Sequence, residues 1–158
     1  MKRLALPARG FTLPELMAVV VIVAILAAVS TAGFSALMQG QRAKNASFEL
    51  NSSLVLARSE AVKRNGNVTI TPVGGNWQDG WTITSASGTT LKTQSALGGV
   101  VITSAATSVV YGRSGRLPTS VVTMPTFQID VAATPTDNVR CLKIELTGMT
   151  RTTLGACA

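Results

Sequence analysis

The chain has 158 residues, and its 14 lysines and arginines against 7 acidic residues give a formal net charge of +7. It has no histidine and two cysteines, and it contains no P-loop, no G-x-S-x-G elbow and no C-x-x-C pair. The common acid–base, nucleophilic and zinc sites therefore lack parts, and we predict neither an enzyme nor a cofactor or metal site. The basic excess suits an anionic partner and ordinary solubility equally well.

The first feature in chain order is an apolar run that follows a single carboxylate, Glu15. Leu16–Val29 are all apolar, and no charge occurs before Arg42. Leu16–Met38 is long enough to cross a bilayer as a helix. Three basic residues precede the run and predict a cytoplasmic N-terminus: Lys2, Arg3 and Arg9.

A cleaved secretory signal is the alternative interpretation of this run. Ala28-Val29-Ser30 supplies the small residues of a cleavage site for such a signal. Glu15 is against that interpretation, because a signal peptide gains nothing from a carboxylate at the start of its apolar region.

The residues around the carboxylate read Gly10-Phe11-Thr12-Leu13-Pro14-Glu15-Leu16. This stretch resembles the type IV prepilin cleavage motif, with the glycine, the phenylalanine and the glutamate at the right spacing. The resemblance implies that a prepilin peptidase cuts between Gly10 and Phe11 and then methylates the amino group of Phe11. It also implies that Glu15 attracts the terminal amine of a neighbouring subunit during assembly. Such pairing lowers the cost of a charge in an apolar environment.

The helix continues beyond the apolar run. Leu50, Leu54, Ala57 and Ala61 form one stripe at helical spacing, with Val55 and Val62 on its flank. Asn65-Gly66-Asn67 provides a stop signal. We therefore predict a single helix over 12–64.

The rest of the chain is rich in threonine, serine, glycine and valine, which favours strands and turns. Eight short runs are predicted strands: Val68–Val73, Trp81–Thr84, Thr90–Gln94, Val100–Ser104, Ser108–Tyr111, Phe127–Val131, Val139–Leu146 and Arg151–Leu154. We expect a mostly antiparallel sheet whose apolar face packs on the helical stripe. The fold class is therefore α+β.

Two further stretches resemble the GspH/FimT/FimU group of minor pilins and pseudopilins. They are "LARSEAVKRNGNVTI" at 56–70 and the W-x-x-G-W turn that contains Trp77 and Trp81. The resemblance implies the pilin fold, a long N-terminal helix with a transmembrane half and an amphipathic half, packed on the sheet domain. It divides the chain into a leader (1–10), a membrane or pilus-core helix (11–38), an amphipathic half-helix (39–66) and a periplasmic β-rich domain (67–158).

Two motifs lie inside that domain. "YGRSGRLP" at 111–118 lacks the lysine–serine pair of a phosphate loop, so we predict a glycine turn after a strand. Cys141 and Cys157 bracket a predicted hairpin, and a disulfide would hold its open end in an oxidising compartment.

The resemblance implies a structural protein, a minor pilin of the FimU/FimT type. Prepilin peptidase would process it in the bacterial inner membrane, with its N-terminus in the cytoplasm. It would then join other minor and major pilins at the extracellular tip of a type IV pilus. There it would prime assembly and support twitching motility, adhesion or DNA uptake. A type II secretion pseudopilin of the GspH type is an alternative, although the C-terminal disulfide favours the pilus.

Binding of double-stranded DNA during natural transformation is the other alternative. FimT-like members carry a G-R-x-R motif near the C-terminus, whereas this chain has Gly148-Met149-Thr150-Arg151 and keeps only one arginine. Five residues are candidates for a phosphate-binding patch: Arg140, Lys143, Arg151, Arg113 and Arg116. The other interpretation of these cations is a solvated face.

Overall fold

One long helix and eight strands make up the main elements of the residues that the structure describes. The computed structural model describes residues 11–131 and 138–157, and the side chains of these residues except 28–36. The chain divides into two compact units, Met1–Leu37 and Met38–Ala158. Helix α1 runs over Leu13–Lys63, one residue shorter at each end than predicted.

The predicted stop signal ends α1 by a specific hydrogen-bond pattern. Asn65 takes the left-handed conformation with φ 48°. Its N–H donates to the Val62 carbonyl at 3.2 Å, and the Gly66 N–H donates to the Ala61 carbonyl at 3.1 Å. These two bonds form a Schellman motif, which satisfies carbonyls that the helix end leaves without partners.

Each predicted run overlaps a strand. In chain order the strands are β1 (Val68–Pro72), β2 (Trp81–Ser85), β3 (Thr90–Gln94), β4 (Val100–Thr103), β5 (Val109–Tyr111), β6 (Thr126–Val131), β7 (Arg140–Ile144) and β8 (Thr150–Leu154). They form two antiparallel four-stranded sheets with the orders β3-β2-β1-β5 and β4-β6-β7-β8. The single sheet of the prediction is thus two sheets, because β5 returns to pair with β1 while β4 pairs with β6.

The core joins the helix to both sheets in one cluster of buried side chains. Leu50, Leu54, Ala57 and Ala61, the predicted stripe, are fully buried, whereas the flanking Val55 and Val62 are about half exposed. The largest fully buried side chains are Trp81 and Tyr111 from the first sheet and Phe127 from the second. No described strand of one sheet pairs with a strand of the other, and apolar packing around α1 connects the two sheets.

The W-x-x-G-W turn anchors the chain to this core. The Trp77 indole N–H donates to the Ala106 carbonyl at 2.8 Å. Its ring meets Phe127 edge-on, with 4.8 Å between ring centroids. Both tryptophans are buried, so their role is packing.

Two glycine-containing turns contact each other beside α1. In the first turn, after β5, the Gly115 N–H donates to the Gly112 carbonyl at 2.8 Å. In the second, between β7 and β8, Gly148 has φ +79°, and a Cβ there would overlap the Gly115 carbonyl oxygen. The Arg58 guanidinium ties both turns to the helix, since its Nε donates to the Gly115 carbonyl at 3.0 Å and its Nη2 to the Thr147 carbonyl at 3.5 Å.

A methyl group at position 148 should therefore destabilise the fold strongly. We expect Gly148→Ala to lower the free energy of unfolding by roughly 3 kcal/mol, because positive φ and backbone overlap act together. Gly74 is the matched control, with φ +60° and no atom within 4 Å of an added Cβ. Gly74→Ala should cost only about 1 kcal/mol. Urea unfolding of the full chain in detergent measures both, and equal losses would contradict the described contact between the turns.

Candidate processing, assembly and binding sites

The processing motif spans the start of α1. Gly10 lies outside the described residues, whereas Phe11 and Glu15 are described and exposed. The Thr12 carbonyl accepts the first helical bonds, from the N–H groups of Glu15 at 3.1 Å and Leu16 at 3.2 Å. Helix α1 therefore begins two residues after Phe11, the residue that the motif makes the new terminus.

Glu15 also has a local contact that the sequence interpretation missed. Its Oε2 accepts the backbone N–H of Thr12 over a long 3.5 Å. Thr12 and Glu15 have the T-x-x-E spacing of a capping box, which was the available sequence signal. The carboxylate makes no ion pair with any described residue, and it stands exposed at the positive end of the helix dipole. It can hold the first turn and still accept a cation from another molecule.

The described first part of α1 leaves its apolar side chains uncovered. Every residue over 11–27 is exposed, and 16–26 are leucine, methionine, valine and isoleucine except for Ala18 and Ala24. Monomeric soluble proteins rarely expose an apolar surface of this extent, which marks interaction with lipid or protein.

Among the residues that the structure describes, no helix is long and apolar enough to span a membrane. Within the predicted span Leu16–Met38, the side chains of residues 28–36 lie outside the described part.

The five candidate DNA-binding residues fall into three places. Lys143 and Arg151 are directly opposite each other across β7 and β8, so their side chains share the outer face of the second sheet. Arg140 is opposite Ile129, a core residue, and therefore lies on the other face of β7. Its Nε is buried and has no hydrogen-bond partner among the described residues.

Arg113 and Arg116 belong to the turn after β5. Both side chains are exposed, and the Arg116 carbonyl accepts the Gly112 N–H at 2.9 Å. This turn contacts the β7–β8 turn, where the Leu117 N–H donates to the Leu146 carbonyl at 3.3 Å. The structure thus brings two cations together on one face and two more to the adjoining turn, and it places Arg140 elsewhere.

Tyr111, at the end of β5, is a buried titratable group beside these turns. Burial raises the pKa of its phenol, so the hydroxyl stays protonated and neutral. The hydroxyl has no hydrogen-bond partner in the described ranges, and its ring packs against the Gly148 position. It is a packing residue, and no described cluster of acidic residues and cysteines around it or elsewhere suits a metal ion.

The two cysteines form the predicted disulfide between β7 and the C-terminal tail. Cys141 and Cys157 are joined with their Cα atoms 5.0 Å apart. The tail is also held by the Gly155 N–H, which donates to the Val139 carbonyl at 2.7 Å, and by the Cys157 N–H, which donates to Gln128 Oε1 at 3.4 Å. The bridge therefore closes the open end of the β7–β8 hairpin.

Comparison with known proteins agrees with these features. The family model for the type II transport protein GspH matches residues 46–148, the larger part of the chain. The chain belongs to the GspH family. The prokaryotic N-terminal methylation motif matches residues 7–31, the segment that contains Glu15.

Among solved structures, this GspH-family protein is similar to a type IV minor pilin. It is similar to FimU of Pseudomonas aeruginosa strain PAO1 in two crystal forms. In the first form the identity is 26% and the TM-score 0.60, over 70% of this chain and 91% of FimU. In the second they are 27% and 0.58, over 72% and 87%. Comparison with curated proteins gave no significant match. The helix on antiparallel sheets is thus the α+β pilin fold that the sequence predicted.

The disulfide should contribute measurably to the stability of this fold. Replacing both Cys141 and Cys157 by serine should lower the free energy of unfolding by about 3 kcal/mol, because the short loop is no longer closed in the unfolded chain. Urea unfolding of the full chain with and without a thiol reductant provides the control. The reductant should destabilise the wild type and leave the double-serine variant unchanged. A wild type that is no more stable than the variant would contradict the prediction.

Proposed function

We propose that this chain is a minor type IV pilin that prepilin peptidase cleaves between Gly10 and Phe11 and methylates on Phe11. Before assembly it is held in the bacterial inner membrane with its N-terminus in the cytoplasm. It then joins the tip of a pilus with other minor and major pilins, where it primes assembly. One observation carries this proposal, namely that the Glu15 carboxylate directly precedes a run of exposed apolar residues, 16–27.

The mechanism follows from the exposure of that segment. Transfer from lipid into a bundle of similar helices keeps apolar side chains covered, so the transfer does not by itself fix the register between subunits. Glu15 supplies the register, because a carboxylate and a terminal amine in an apolar environment are far cheaper as a pair than alone. At an effective dielectric constant of about 20, two unit charges 4 Å apart attract by ~4 kcal/mol.

The cap contact of Glu15 makes a sharp test possible. Glutamine also satisfies a capping box, so Glu15→Gln keeps the acceptor for the Thr12 N–H and removes only the charge. We expect Glu15→Gln to be cleaved normally and to enter pili at least about tenfold less than the wild type, which corresponds to ~1.4 kcal/mol of lost pairing. Quantitative blotting of membrane and sheared-pilus fractions measures the ratio.

The control for this test is Glu15→Ala, which removes both the cap acceptor and the charge. If Glu15→Gln assembles like the wild type while Glu15→Ala does not, the residue acts only as a helix cap and the proposed assembly role is wrong.

A type II secretion pseudopilin is the second candidate, and the description of the matching family model favours it. Likeness to FimU, a type IV minor pilin, supports the pilus instead. Deleting the chain separates the two: loss of pili with intact secretion supports the minor pilin, and the reverse supports the pseudopilin.

DNA binding is the third candidate, and the opposed pair Lys143 and Arg151 is the observation that favours it. Two cations neutralise about two phosphates, whereas a protein whose DNA affinity is dominated by phosphate contacts neutralises roughly six to ten. Because Arg140 lies on the other face of β7, it does not extend this patch. We therefore rank DNA binding below pilus assembly.

A further inference from the structure

The free edge of β8 differs from the other three sheet edges. β3 carries a register irregularity in its pairing with β2 and the charged Lys92, which pairs with Glu49 of α1 at 3.7 Å. β5 has only three residues, and β4 lies against the short turn Trp77–Asp79. Charges, irregularities, short length and cover are the usual ways to block strand addition at an edge.

Apart from the charge of Arg151, β8 has none of these protections in the described part of the chain. It has five residues, contains no proline and pairs with β7 without a register shift. The ladder is fixed at both ends, by the Glu145 N–H to the Met149 carbonyl at 2.9 Å and by the Gly155 N–H to the Val139 carbonyl at 2.7 Å.

This ladder determines which backbone groups of β8 are open. Hydrogen-bonded pairs alternate along antiparallel strands, so Arg151 and Thr153 bond to β7. The N–H and C=O groups of Thr150, Thr152 and Leu154 then point away from β7, and no described residue bonds to them. Leu154 is 69% exposed beside them. The edge therefore presents three N–H donors and three C=O acceptors without described partners, next to an apolar side chain.

The positive charge on the outer face of the second sheet restricts which strand can pair with β8. Arg151 is exposed, makes no ion pair with a described residue and stands opposite Lys143 on the same face. An acidic side chain on a neighbouring strand would pair with the Arg151 guanidinium. A second copy of β8 would instead bring another Arg151 and Lys143 to the same face, which disfavours self-pairing.

We propose that the edge of β8 binds an extended segment from the β-rich domain of a different pilin subunit, with an aspartate or glutamate opposite Arg151. The added strand takes its main-chain hydrogen bonds from Thr150, Thr152 and Leu154 and covers the Leu154 side chain. This inference rests on the proposed function, since it names the contact through which the subunit recognises its neighbour.

The test uses the full chain in cells that make its companion pilins. A photoreactive amino acid replaces Thr153, whose side chain is exposed on the outer face, and mass spectrometry maps the adducts. We expect one main adduct, with a different pilin, on a peptide that contains an acidic residue. The same amino acid at Val20, in the segment 11–27, reports assembly independently of β8.

Proline at position 152 provides the decisive variant. The Thr152 N–H faces the open edge, so Thr152→Pro breaks no bond to β7, and its ring blocks the added strand. Thr152→Pro should lower the adduct yield at position 153 about tenfold, because main-chain hydrogen bonds are lost, whereas the matched Thr152→Val should not lower it. Formation of the Cys141–Cys157 disulfide reports that the proline variant is folded.

A second variant tests the charge and leaves the backbone unchanged. Arg151→Glu should reduce the adduct, and reversing the mapped acidic residue of the partner to lysine should restore it. Equal yields from the proline and valine variants, adducts with a second copy, or adducts with DNA would overturn the inference. Adducts at Val20 without any at Thr153 would overturn it and leave the proposed function intact. Their absence at both positions would count against the proposed function itself.

Discussion

The stripe formed by Leu50, Leu54, Ala57 and Ala61 is the contact on which the rest of the second unit depends. No described strand of one sheet pairs with a strand of the other, and each sheet has an apolar face that must be buried. Through the stripe, one helix packs against the apolar faces of both sheets. Arg58 adds polar contacts beside it, because its guanidinium bonds to the turns that follow β5 and β7.

The first part of the same helix has the opposite property. Residues 11–27 are exposed, so nothing within their own unit covers them, and their environment must come from other molecules. That requirement explains why a single carboxylate at the start of the helix matters. In the proposed assembly, Glu15 would set the register of an otherwise uniform apolar surface. Its bond to the Thr12 N–H also holds the first turn of the helix.

The sequence was sufficient to predict the elements whose signals are local. All eight strands, the stop at Asn65 and the buried stripe follow from periodicity and turn chemistry. Strand partners depend on contacts distant in sequence, and for that reason two sheets were predicted as one. For the same reason Arg140 was grouped with Lys143, although the two lie on opposite faces of β7. Assigning them to faces requires the strand register. The open edge of β8 could not be predicted from the sequence either, because it depends on which strand lies at the end of the sheet.

If the chain is processed and assembled as a pilin, the mass of its mature N-terminus records that processing. Protein isolated from sheared pili should begin at Phe11, with a methyl group on its amine. The same terminus should be found in the membrane fraction, since cleavage precedes assembly. A mature chain that begins near Thr31 would contradict the account, because the apolar segment and Glu15 would then have been removed as a secretory signal.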